Sequence, residues 1–175
     1  LFEVEAELAG STDFSCLGFH IGKLAGEGVP VVTGLRRRPT LDELDALGAG
    51  MATSGGVSLY ILPQVTPPFA SVEQAFAPQP VPEAHRVTRA DIDAVYRYFC
   101  TGRSDQVDII HVGCPHASFE EMRDYAGLLD GKKVKGLPFK FAATGVLYNK
   151  DNVLKAGDIP VVVAEDGSWE GGLIQ

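Results

Sequence analysis

Cys114 and His116 are the residues whose types and spacing best suit chemistry in this sequence. They sit at the turn of residues 107–121, which read as a buried strand, a tight turn and a helix start. Val107, Ile109, Ile110 and Val112 make the short apolar run, and Pro115 cannot extend a ladder. Ser118 and Glu121 form a capping box at the helix start. Cys114 therefore falls at the carboxyl end of a strand just ahead of a helix, where open α/β sheets bind ligands. The helix dipole favours a thiolate there, which suits a nucleophile or a metal ligand equally. A small residue buried at a crowded turn fits the same position. As a thiol enzyme, the Cys114–His116 pair lacks a third group to orient the histidine.

A second candidate is the small-residue stretch 52–56, with Thr53, Ser54 and Gly55 at its centre. As a turn between helix and strand, its hydroxyls and N–H groups suit a carboxylate or a phosphate. It also suits a plain helix C-cap. It carries neither a P-loop lysine nor a dinucleotide-binding glycine pattern. Arg36, Arg37 and Arg38 read as a solvated charge run or as a contact for an anionic substrate. Cys16, mid-helix among apolar positions, and Cys100, ending a helix, read as structural. His20 reads as a satisfied helix residue, and His85 and His111 show no partner signal.

Alternating strands and helices must position these groups. Phe2, Val4, Ala6 and Leu8 alternate with Glu3, Glu5 and Glu7, the pattern of a half-buried strand with an acidic face. Phe14, Leu17, Ile21 and Leu24 recur at helical spacing, and residues 29–35 form a second strand. Thr40 and Glu43 are a capping box for a helix through Leu44, Leu47 and Met51, followed by a strand at 57–62. Residues 63–82 hold six prolines and read as a long loop with a helical turn or two near 72–76. Thr88 and Asp91 open a helix bearing Ile92, Val95, Tyr96 and Phe99. After the Cys114 unit come a strand at 139–143, a short helix at 151–156, a strand at 159–164 and a turn-rich end. The pattern predicts an α/β layered sandwich with a mainly parallel sheet and no internal repeat.

With 175 residues, the chain fits one domain or a domain and a half and can bury a proper core. A net charge of −8 argues against a general affinity for nucleic acid or anionic membrane. No apolar run approaches the ~20 residues of a membrane span, and residues 1–7 have no secretory-signal character. Three widely spaced cysteines make no disulfide framework, so a reducing cytoplasm is the expected home. Leu1 stands where a methionine would begin a whole chain, as expected of a piece cut from something longer.

Residues 17–23, 29–35, 42–49, 52–57, 65–67 and 113–118, in this order, resemble motifs of the aconitase X family, the catalytic portion of aconitase-like hydro-lyases. The resemblance covers roughly residues 1–131, and Gly113-Cys114-Pro115-His116 with Ser118 is its most specific part. It makes residues 1–175 a single partial catalytic domain and implies a dehydratase of small hydroxy acids. Known family activities act on cis-3-hydroxy-L-proline and 5-phosphomevalonate. It further implies an iron–sulfur cluster or iron, acting as a Lewis acid on the leaving hydroxyl, with Cys114 as one ligand. Thr53, Ser54 and Gly55 would lie near the substrate, and His116 would orient the turn. A small swivelling domain or subunit is the implied partner. The sequence departs from the family at Pro68, usually acidic, and in residues 59–62, where a histidine is expected. Two further cysteines of the family have no counterpart here. A non-catalytic, truncated domain serving as an assembly module is the alternative.

Overall fold

Strand β1 (Phe2–Val4) is the axis of the first unit: its apolar side chains enter the core, and Glu3 and Glu5 point the other way. The computed structural model describes residues 1–101, 111–112, 117–129 and 142–143. The chain divides into two compact units, Leu1–Gly102 and Arg103–Gln175. In the first, β1 leads into helix α1 (Gly10–Ala25), strand β2 (Val32–Thr33) and helix α2 (Leu41–Gly55). The short helix α3 (Val72–Phe76), strand β3 (His85–Val87) and helix α4 (Arg89–Phe99) follow.

The sheet is parallel, as the alternation of strands and helices predicts. Phe2 pairs with Val32 on one side and with His85 on the other, so β1 lies between β2 and β3. The strand expected at 57–62 reduces to one residue, Ile61, bridged to Val31 in parallel. Its N–H donates to Pro30 O at 2.9 Å, and its carbonyl accepts from Val32 N–H at 2.9 Å. Pro63 has no N–H with which to continue, and the Tyr60 hydroxyl is committed to Leu44 O at 2.8 Å. Beyond Ile61 the chain returns across β1 to form β3. That strand is too short and too polar on its exposed side to show as a strand pattern in the sequence.

Helices α1, α2 and α4 supply the rest of the core around β1: Phe14, Leu17, Ile21, Leu47, Met51, Ile92 and Val95 are all buried. Each such side chain stabilises the fold by roughly 1.5–3 kcal/mol through removal from water. The capping box at Thr40 is present: Thr40 Oγ1 accepts from Glu43 N–H at 3.2 Å, and Thr40 N–H donates to the Glu43 carboxylate at 2.9 Å. Of the two readings of residues 52–56, the helix C-cap is the one the structure shows: residues 52–55 are the last turn of α2, with Gly56 as a left-handed C-cap at φ +70°. Four small or helix-compatible residues let the helix run on until Gly56 accepts the conformation that ends it.

The second unit contains strand β4 (His111–Val112), helix α5 (Phe119–Leu129) and strand β5 (Ala142–Ala143), with β4 and β5 paired in parallel. The expected strand at 139–143 is thus met at its carboxyl end. Ser118 and Glu121 make the predicted capping box, at 2.9 and 3.1 Å, and Met122 is buried. The helix expected at 151–156 and the strand at 159–164 lie outside the described residues.

Helices α1 and α2 touch backbone to backbone along a line of glycines. A Cβ on Gly18 would sit 3.1 Å from Met51 N, one on Gly22 2.9 Å from Met51 Cα, and one on Gly50 2.8 Å from Phe19 N. These atoms belong to main chain, which cannot swing aside as a side-chain tip does. Gly50→Ala is expected to cost about 3 kcal/mol through overpacking. Gly48→Ala, whose Cβ would meet only the Tyr60 ring edge at 3.2 Å, is expected to stay within about 1 kcal/mol of the unchanged chain. Urea denaturation followed by circular dichroism checks both, and equal losses would contradict the backbone-contact account.

Candidate functional site

The loop leaving β2 and the loop leaving Ile61 emerge from the carboxyl ends of adjacent parallel strands and enclose a crevice of about 550 Å³. Its walls come from residues 32–39, 62–65 and 70–73. Gly34 makes the first loop possible: its φ is +83°, and a Cβ there would lie 2.8 Å from Val4 N. The second loop is held by its own backbone. Val65 and Thr66 N–H both donate to Leu62 O, at 3.0 and 2.8 Å, while Leu62 N–H donates to Thr66 Oγ1 at 3.1 Å. Gln64 takes a left-handed φ of +69°, with its N–H on Phe69 O at 2.8 Å. That conformation costs a non-glycine residue about 1–2 kcal/mol, and such residues gather where a loop must hold a particular shape.

The three arginines read as one charge run separate into different roles. Arg36 pairs with the exposed Glu7 at 3.3 Å. Arg37 grips the buried Glu43 with both nitrogens, at 2.7 and 2.5 Å, and also reaches Arg38 O at 3.4 Å. This bidentate pair outweighs the burial of Glu43 and holds its carboxyl below the usual range, with Thr40 N–H adding to the effect. Arg38 lines the crevice and has no ion-pair partner among the described residues.

A second polar cluster ties the start of α1 to α4. Asp13 is buried, accepts from Ala9 N–H at 2.8 Å, from Arg89 at 2.8 Å and from the Tyr96 hydroxyl at 3.1 Å. Burial pushes the Asp13 carboxyl up, but these three donors outweigh it and leave the group below its ordinary value. Burial and the same hydrogen bond push Tyr96 up to about 12. Nothing local in the sequence announces this cluster, because its members are more than seventy residues apart. The signal available was an aspartate four residues after a chain turn, placed to cap α1 from inside.

Cys114 and His116, the leading candidates from sequence, lie outside the described residues. Thr53, Ser54 and Gly55 are described, on the last turn of α2. Thr53 is exposed. Ser54 Oγ donates to Gly50 O at 2.9 Å beside Gly22, and a Cβ on Gly55 would lie 2.6 Å from Gly22 C. Cys16 is buried as expected, and burial together with Asp13 raises its thiol, the opposite of what a thiolate ligand needs. Cys100 is exposed at the end of α4. Among the described residues no three His, Cys, Asp or Glu are grouped to hold a metal ion. No described helix is long and apolar enough to cross a membrane.

Comparison with known proteins gives this geometry a context. Residues 1–97 match the family model described as the aconitase X second domain. The chain is 40% identical over 131 residues to the phosphomevalonate dehydratase large subunit of Methanothermobacter thermautotrophicus, covering 75% of this chain and 31% of that protein. It is 33% identical over 121 residues to the cis-3-hydroxy-L-proline dehydratase of Hypocrea jecorina, covering 68% and 20% respectively. Among solved structures, the holo form of aconitase X from Thermococcus kodakaraensis superposes with a TM-score of 0.62 at 34% identity, covering 73% of this chain and 31% of that one. The chain thus spans a third or less of the length of these relatives.

The titrations of the two clusters set the pH range of the fold. Asp13 and Glu43 have folded values below their unfolded ones, about 3.9 and 4.3. Their contribution is complete above those values and is lost as pH falls through the folded ones. Tyr96 is raised, so its contribution is complete below about pH 10 and is lost as pH rises toward 12. Thermal melts should therefore stay level from about pH 5 to 9 and fall off on both sides. Asp13→Ala should cost about 2 kcal/mol at neutral pH, since it leaves the Tyr96 hydroxyl and the Ala9 N–H without their acceptor and Arg89 with Asp93 alone. Tyr96→Phe should remove its share of the alkaline loss, and an unchanged alkaline limb would contradict the assignment.

Proposed function

This chain belongs to the aconitase X family, and from that premise we propose that it forms part of a hydro-lyase that dehydrates a small hydroxy acid. The match of residues 1–97 to the aconitase X second domain carries the reading. Relatives named phosphomevalonate dehydratase and cis-3-hydroxy-L-proline dehydratase supply the two substrate candidates, a phosphorylated hydroxy acid and a hydroxylated imino acid. The crevice at the carboxyl ends of β2 and Ile61 is where α/β sheets take their ligands, and we assign the substrate to it. Of the Thr53–Ser54–Gly55 group that the resemblance places near the substrate, Thr53 is exposed while Ser54 and Gly55 face α1; none of the three is among the residues that line this crevice.

An iron–sulfur cluster or iron belongs to the same proposal, with Cys114 as one ligand and His116 orienting its turn. So does a small swivelling companion, supported by relatives named as large subunits. We place the enzyme in the cytoplasm on its cysteine usage.

Anaerobic loading of the full polypeptide carrying this chain with iron and sulfide, followed by iron quantification, tests the reading. The unchanged protein should retain stoichiometric iron and Cys114→Ser should lose most of it. Full retention in Cys114→Ser would remove Cys114 from the ligand set. An iron-free unchanged protein would favour a non-catalytic assembly module instead.

A further inference from the structure

Among the described residues, Arg38 is the crevice-lining cation with no ion-pair partner. Its neighbours are spent on the protein itself: Arg36 on Glu7, and Arg37 on Glu43. The Arg37–Glu43 pair also fixes the Arg38 backbone, because Arg37 reaches Arg38 O while Glu43 holds Thr40 N–H two residues on. The loop that carries Arg38 is therefore stiff even though its guanidinium is exposed. Across the crevice, the Gln64 turn keeps a strained left-handed shape through backbone bonds, so the opposite wall is preformed as well. Glu73 lines the same space, and the Ser71 hydroxyl holds its carboxyl below the usual range, so it stays charged at neutral pH.

We propose that Arg38 is the specificity-determining residue that receives the oxyanion of the substrate in this crevice. A planar guanidinium on a fixed backbone binds a carboxylate or a phosphate through two parallel N–H bonds, and less ordering entropy opposes it than opposes a free arginine. Glu73 in the same space gives the ligand's hydroxyl or ammonium group an acceptor. A cation and a carboxylate in one cleft suit a small hydroxy acid, which bears an anion and a donor a few bonds apart. On a chain of net charge −8, an arginine without an ion-pair partner among the described residues, set in a concave surface, also raises the local concentration of anions. The assignment rests on the hydro-lyase reading for the identity of the substrate, but the oxyanion site itself is a property of Arg38 and the two loops.

Titration of the chain with inorganic phosphate and, separately, with glycolate, followed by amide chemical shifts, tests the site without iron or turnover. Shifts should concentrate at Gly34, Leu35, Gln64 and Ser71. Arg38→Ala should weaken binding about tenfold, Arg38→Lys should restore part of it, and Arg36→Ala should leave it unchanged. Tighter binding of phosphate than of glycolate would mark a phosphorylated substrate, and the reverse a carboxylate. Absence of shifts with both anions, or equal binding by Arg38→Ala, would overturn the proposal. In the iron-loaded full polypeptide, Arg38→Ala should raise KM about tenfold with little change in kcat. If that polypeptide turns nothing over while the anion titration still depends on Arg38, the hydro-lyase reading fails and the oxyanion site stands.

Discussion

Backbone contact between α1 and α2 sets the distances on which the first unit depends. Glycines 18, 22, 50 and 55 let the two helices approach until main chain meets main chain, which locks their relative position more tightly than interlocking side chains can. The helices in turn carry the connections into and out of β2, so the loop at Gly34–Pro39 inherits their placement. One methyl group in that contact would push apart the elements whose carboxyl ends form the crevice. Ser54 and Gly55, from the small-residue stretch at the end of α2, pack against Gly22 of α1.

Charge is distributed by the same logic. Among the described residues the acidic chain buries two carboxylates, Asp13 and Glu43, and each is surrounded by donors that hold it below its ordinary value. Asp13 joins α1 to α4 across a long sequence interval, and Glu43 joins a helix start to the arginine run that precedes it. The buried Glu43 takes Arg37 and the exposed Glu7 takes Arg36, and Arg38, with no ion-pair partner among the described residues, lines the crevice. Structural pairing thus decides which cation remains for a ligand, and three consecutive arginines end with three different tasks.

Much of this architecture is legible in the sequence because it is local. The alternation of Phe2 and Val4 with glutamates, the helical spacing of Leu17 and Ile21, and the capping boxes at Thr40 and Ser118 each depend on residues within one or two turns, and each appears as read. The misreadings occur where tertiary context decides. Residues 57–62 have strand composition but only Ile61 finds a partner edge, since Tyr60 is drawn to α2. Residues 52–56 read equally as a ligand-binding turn or a helix C-cap, and the left-handed Gly56 decides for the cap. Strand β3 and the Asp13 cluster were invisible because their partners lie more than seventy residues away. The crevice residues Arg38 and Gln64 carry no motif; their importance comes from what their neighbours are bonded to.

The most direct test of the functional account is a dehydration assay on the full polypeptide carrying this chain, loaded with iron and supplied with the companion subunit proposed for it. Phosphomevalonate and cis-3-hydroxy-L-proline would be given separately, with product mass read for the loss of one water. The account predicts that one of the two loses water at a rate that depends on bound iron. An iron-loaded, correctly folded enzyme that leaves both substrates intact would contradict it.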